Sequence, residues 1–313
     1  MITVLLIVVR AAHITASILI AGSFTFNFVA LGFRRGMSSE YSLVADQALV
    51  PLAVWSLVVA ALSGVLWFCL EVVNMAGLPL SAVFSIRAWE TVLLNTNFGH
   101  VWSFRFALGV ALALGVLRNL QNEARRRSLS WALWFLSILL LVSLAWISHA
   151  AAARTQPLGV VNDALHLCAA GGWIGGLVSL AIFLTRVDLL SALSNKVILE
   201  RFSALSLCCV SILVASGICN SWLLVGSVHG LVTTTYGWLL LFKLALFGIL
   251  IGFGARNRFL VQTKLRSLPE ISGLLPELRR NVICEATLGV AVLAIVACLG
   301  VTPPPISMIH TTR

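Results

Sequence analysis

Long apolar runs separated by short polar breaks set the rhythm of this chain and predict its elements. A helix that crosses a bilayer needs about 20 mostly apolar residues. Eight segments reach that length, at about 3–33, 44–72, 100–118, 131–150, 158–185, 203–226, 236–255 and 281–301. Pro51 and several glycines fall inside these runs. Bilayer helices tolerate both, because neighbouring helices satisfy the backbone groups they free. The first run has no basic stretch ahead of it and is too long for a signal peptide, so it reads as a retained helix. The expected fold is therefore an all-α polytopic membrane protein, one membrane domain over 1–313 with eight transmembrane helices.

Composition agrees and narrows the field. Of 313 residues, 60% are hydrophobic and 10% charged, against roughly 25% charged in a soluble domain. A water-soluble enzyme, a disordered scaffold and a secreted disulfide domain are all excluded. The net charge of +10 would otherwise raise nucleic acid, but the placement of the cations decides. Fifteen of the 21 Lys and Arg fall in the connections after the first, third, fifth and seventh runs, from Arg34 and Arg35 through Arg125–Arg127 to Arg279 and Arg280. Positive loops stay in the cytoplasm, so both termini are expected outside.

The halves of the chain echo each other. Thr96–Arg105 (TNFGHVWSFR) and Thr234–Lys243 (TTYGWLLLFK) align aromatic, glycine and cation at an offset of 138. An offset of 153 pairs His13 with His166, Gly22 with Gly175, and Ser63-Gly64 with Ser216-Gly217. Four helices per half is an even number, so the expected arrangement is a parallel 4+4 repeat, with 1–150 and 151–313 as its units. A longer outer loop, about 73–99, belongs to the first half.

On this topology all six histidines lie on one side. His13 is about 16 Å into the first helix and His166 about 12 Å into the fifth, at 1.5 Å per residue; His149 falls in the last turn of the fourth. An imidazole in the hydrocarbon must find a partner, and a neighbouring helix can supply it. Three of them in the outer half of one bundle point instead to a convergent metal site of His13, His149 and His166. Asp163, three residues before His166, shares its helical face and suits the carboxylate that fixes a ligand's tautomer. Its alternative is an ion pair with Arg10, Arg105 or Lys243. Secondary candidates are Cys168, His100, Met308 and His310, with Cys69 beside them. The seven cysteines include no Cys-x-x-Cys pair, and there is no Walker loop, Rossmann fingerprint or haem-attachment motif. Nothing in these residues reads as an enzyme driven by ATP, and no enzymatic role is expected. Gly171–Gly176 (GGWIGG) reads as a small-residue packing surface.

The stretch from Arg201-Phe202-Ser203 through Ser216-Gly217, Thr235-Tyr236-Gly237, Leu241-Phe242-Lys243 and Ala255–Arg258 resembles the signature of the copper resistance protein D family (CopD/PcoD), over about 201–266. Asn162–His166 followed by Trp173–Gly176, and His13 in the first helix, resemble it too. The resemblance implies an eight-helix protein of the bacterial inner membrane with periplasmic termini. It implies copper ion transport, from periplasm to cytoplasm, in copper homeostasis or resistance. It also implies a small periplasmic copper-binding carrier (CopC-like) as partner, and His13, His149 and His166 as ligands. Imidazoles accept Cu+ or Cu2+ and would also admit zinc or nickel. Cys208, Cys209, Cys284 and Glu285 are the few inner-half groups for an ion path. Two other readings stand beside it: a membrane redox protein holding b-type haem between His13 and His166, and a structural anchor for the copper carrier.

Overall fold

The computed structural model describes residues 2–32, 39–121, 126–148, 156–186, 192–267 and 275–306. Its helices are α1 (Ile2–Val29), α2 (Ser39–Ala76), α3 (Ile86–Asn95), α4 (Asn97–Gln121), α5 (Arg126–Val142) and α6 (Gln156–Ala170). They continue with α7 (Gly176–Leu184), α8 (Ala192–Val225), α9 (Val228–Thr233), α10 (Thr235–Ser267) and α11 (Leu275–Leu299). Among the described residues eight stretches are long and apolar enough to cross a membrane, and each falls on one of the eight expected runs. No strand occurs among the described residues. The protein is a multi-pass membrane protein.

The span Pro157–Leu184 combines α6 and α7 and is the hub, with 78% of its most apolar window buried, against 11% for Thr235–Leu260 in α10. Between α6 and α7 the backbone loosens into a π turn, Gly171–Gly175, all five residues of which are buried. Such turns are frequent at functional sites. α1 crosses this hub backbone to backbone. A Cβ on Gly175 would meet Gly22 Cα at 2.9 Å and the Ile18 carbonyl closer still. Without a hydrophobic drive between helices in lipid, close approach through small residues supplies the packing. The GGWIGG stretch is thus a packing surface, and one whose helix geometry departs from α.

The connections after α2 and α8 use the same device. α2 and α8 are each followed by a glycine at positive φ, Gly77 (63°) and Gly226 (69°), the left-handed stop that only glycine adopts without strain. A short helix follows each, α3 and α9. Then Thr96 and Thr234 cap α4 and α10 through their Oγ1, which accept the N–H of Gly99 (2.9 Å) and Gly237 (3.1 Å), satisfying an orphan donor of the first turn. The expected loop 73–99 is therefore largely structured: it holds the end of α2, a 3₁₀ turn at Leu80–Ala82, and α3.

Candidate metal centre

His13 and His166 occupy matching positions on α1 and α6, and a serine fixes each. On α2, Ser63 Oγ spends its proton on the Val59 carbonyl and lies 3.3 Å from His13 Nδ1, which also faces the Ala60 carbonyl at 3.0 Å. On α8, Ser216 Oγ spends its proton on the Ile212 carbonyl and lies 2.8 Å from His166 Nδ1. A hydroxyl with its proton committed can only accept, so Nδ1 carries the hydrogen in both rings. Nε2 then holds the lone pair in both, the form in which imidazole binds a metal.

The two lone pairs have different fates. His13 Nε2 accepts from Arg105 Nη2 on α4. Arg105 is 2% exposed. Its Nη1 donates to the Leu140 carbonyl at 2.8 Å and to Ser143 Oγ, where α5 tightens into a 3₁₀ turn. The guanidinium also lies 5.3 Å from the centre of the Trp102 ring. Trp67 and Trp102 enclose His13 with ring centroids 5.6 and 5.4 Å away. His13 is thus latched, with both nitrogens engaged, which leaves no lone pair for either copper or haem iron in this conformation. His166 Nε2, by contrast, has no hydrogen-bond partner among the described residues. Lys243 of α10, at the position aligned with Arg105, stands in Coulombic range of His166 and Asp163 without a direct ion pair. The difference follows from side-chain shape: the planar guanidinium fork reaches three acceptors at once, whereas an ammonium is a point charge on a flexible stem.

Asp163 is tied into the α6–α8 contact. Asn220 Nδ2 donates to its Oδ1 at 3.4 Å, and Asn162 Nδ2 donates to Asn220 Oδ1 and to the Ser216 carbonyl, at 2.8 and 3.0 Å. Ser148, the residue that precedes His149 in the sequence, also hydrogen-bonds Asp163. The orienting contact on His166 comes from Ser216, while Asp163 sits one turn earlier and balances Lys243. Arg10, the other cation weighed for Asp163, lies over the Trp67 ring at 4.7 Å.

His149, Met308 and His310 lie outside the described residues. His100 is exposed and its Nε2 contacts the Leu94 carbonyl at 3.0 Å. Cys168 is half-buried with Cys209 as its electrostatic neighbour, and Cys69 is buried. Among the described residues no three His, Cys, Asp or Glu side chains come together as a metal site. Sequence reasoning missed the roles of Ser63, Ser216, Asn220 and Arg105. The shared offset of 153 for histidine and serine was the signal that could have joined each pair.

The family model described as Copper resistance protein D-like, N-terminal domain, matches residues 1–160, and that described as Copper resistance protein D matches 196–299. Copper resistance protein D of Pseudomonas syringae pv. tomato is 32% identical over 228 residues, 69% of this chain and 71% of the relative. Copper transport protein CutJ of Bacillus subtilis is 29% identical over 221 residues, 68% of this chain but only 38% of the relative. Inner membrane protein YebZ of Escherichia coli is 26% identical over 306 residues, 95% and 98% of the two chains. No solved structure matches. With its N-terminal half and its C-terminal third both matched, the chain belongs to the copper resistance protein D family.

Proposed function

We propose that this protein carries copper ions across the bacterial inner membrane, from periplasm to cytoplasm, and so serves copper homeostasis or resistance. Both termini face the periplasm, and the chain is a parallel four-plus-four duplication. Copper enters from a CopC-like periplasmic carrier onto an outer-half site of His166, His149 and His13. The observation that carries this reading is the unspent lone pair of His166 Nε2, held ready by Ser216. Asp163 offsets the charge of Lys243 beside it, and its bond to Ser148 ties the end of the fourth span to α6. His13 joins when Arg105 releases it, which makes Arg105 a latch on the third ligand. Ring nitrogens suit either oxidation state of copper. The role is transport, with no enzymatic step.

Elemental mass spectrometry of copper and iron on the detergent-purified protein from copper-supplemented cells tests this. Copper at near-stoichiometric level in the wild type, lost in H166A and H149A and reduced in H13A, is the expected result. Iron in place of copper, or copper unchanged in H166A, sinks the proposal.

A further inference from the structure

Glu285 is a second intramembrane carboxyl, and the copper site makes no use of it. It lies ten residues into α11, about 15 Å along that helix, and is 2% exposed. A carboxylate buried without a cation is costly, and inside a bilayer such a group marks function, proton relays among the uses. The groups described against Glu285 are neutral. Asn257 Nδ2 on α10 donates to Oε2 at 2.8 Å. The Trp173 indole, in the π turn, also hydrogen-bonds it. Gly254, one turn before Asn257, makes room: a Cβ there would stand 3.2 Å from Oε1.

Several charged and titratable groups on the surrounding elements have other partners. On α10, Arg258 Nη1 donates to Ser203 Oγ at 2.9 Å and Arg256 pairs with Glu277 of α11 at 3.4 Å. Arg279 and Arg280 lie in the first turns of α11, more than one turn before Glu285. On α8, Cys209 Sγ faces Gly172 of the π turn.

Asn257 is suited to both forms of an acid. Nδ2 donates to Oε2, as observed, and that oxygen accepts whether the carboxyl is ionised or protonated. Asn257 Oδ1 is a buried acceptor without a partner among the described residues, and a half-turn of the amide would let it accept the O–H of a protonated Glu285. Asn281, four residues before Glu285 and on the same helical face, adds a buried Nδ2 that is likewise unspent. Trp173 follows His166 by seven residues in one continuous span, about 10 Å farther along it. The carboxyl is thus one helix segment away from the outer-half imidazole.

We infer that Glu285 is a proton-exchange site in the membrane interior, which releases its proton when copper occupies the His166 site. The inference rests on the copper reading above. In the step the carboxyl O–H breaks, the electron pair stays on Glu285, and the proton passes to water beyond Asn257 and Asn281. One positive charge leaves the interior as copper brings charge in. The groups described against Glu285, an amide and an indole, are poor copper ligands in either oxidation state, so the ligand of this site is the proton.

Infrared difference spectroscopy on the full-length purified protein, before and after copper addition, tests the inference, with bound copper measured on the same samples. The expected result is a protonated-carboxyl band that disappears with copper in the wild type and is absent in E285Q, which still binds copper. In N257L the band moves, because its hydrogen-bond partner is gone. In H166A the band is present and copper leaves it unchanged. Copper bound normally with the wild-type and E285Q difference spectra identical overturns the proton site alone. No copper bound by the wild type overturns the copper reading, and the coupling with it.

Discussion

The α1–α2–α4 cluster and the α6–α8–α10 cluster begin with the same parts and end in different states. Each has a histidine, a serine four residues beyond the carbonyl that takes its hydroxyl proton, and a cation, the first two recurring at an offset of 153 and the cation at 138. In the first, Arg105 closes on His13 and two tryptophans seal the ring. In the second, Lys243 stands back, and Asp163 with Asn162 and Asn220 gives the site a polar flank. One cluster is spent on holding helices together; the other keeps a ligand atom in reserve. A single change of cation, guanidinium to ammonium, accounts for most of that difference.

Removing each histidine in turn gives the largest contrast. His13→Leu strips a buried guanidinium of an acceptor and should cost about 3 kcal/mol of stability, the upper range for a hydrogen bond to a charged group. His166→Leu removes one neutral hydrogen bond and should cost about 1 kcal/mol. Thermal unfolding in detergent separates them, and equal losses would end the distinction between latched and open. Next is the seam where α1 meets the π turn. Gly175→Val pushes a side chain into the Ile18 carbonyl and the Gly22 backbone, neither of which can swing away. About 2 kcal/mol is the expected cost, typical of overpacking, and the same melting experiment reads it.

Lys243→Arg turns the second cluster into a likeness of the first. If the fork reaches His166 Nε2, copper must displace a charge-assisted hydrogen bond of about 1.5 kcal/mol, which is about a tenfold loss of affinity. Competition with a chelator of known strength measures it, and unchanged affinity would show that the cation does not set the state of the imidazole. The smallest effect is at the surface. The Arg256–Glu277 pair is 60% and 31% exposed, so Arg256→Ala should shift stability by less than about 0.5 kcal/mol, the baseline for the buried contacts above.

Hydrophobic run length determined the eight spans, because lipid leaves the backbone no partner outside the helix, and each run had to become one. The spacing of His13, Ser63, His166 and Ser216 was equally legible, since an offset is a property of the chain alone. The loop 73–99 was not: α3 has a polar face and lacks the length that makes a span obvious. The π turn at Gly171–Gly175 was also hidden, because glycines announce close packing without saying which helix will arrive. The use of each lone pair was decided only in three dimensions. Arg105 is 92 residues from His13, and whether its fork reaches Nε2 depends on how α4 packs on α5 and where α5 and the 3₁₀ turn after it present Leu140 and Ser143. Composition and periodicity fix which residues lie in the membrane. Which of them remain free to bind is fixed by partners that folding brings from far along the chain.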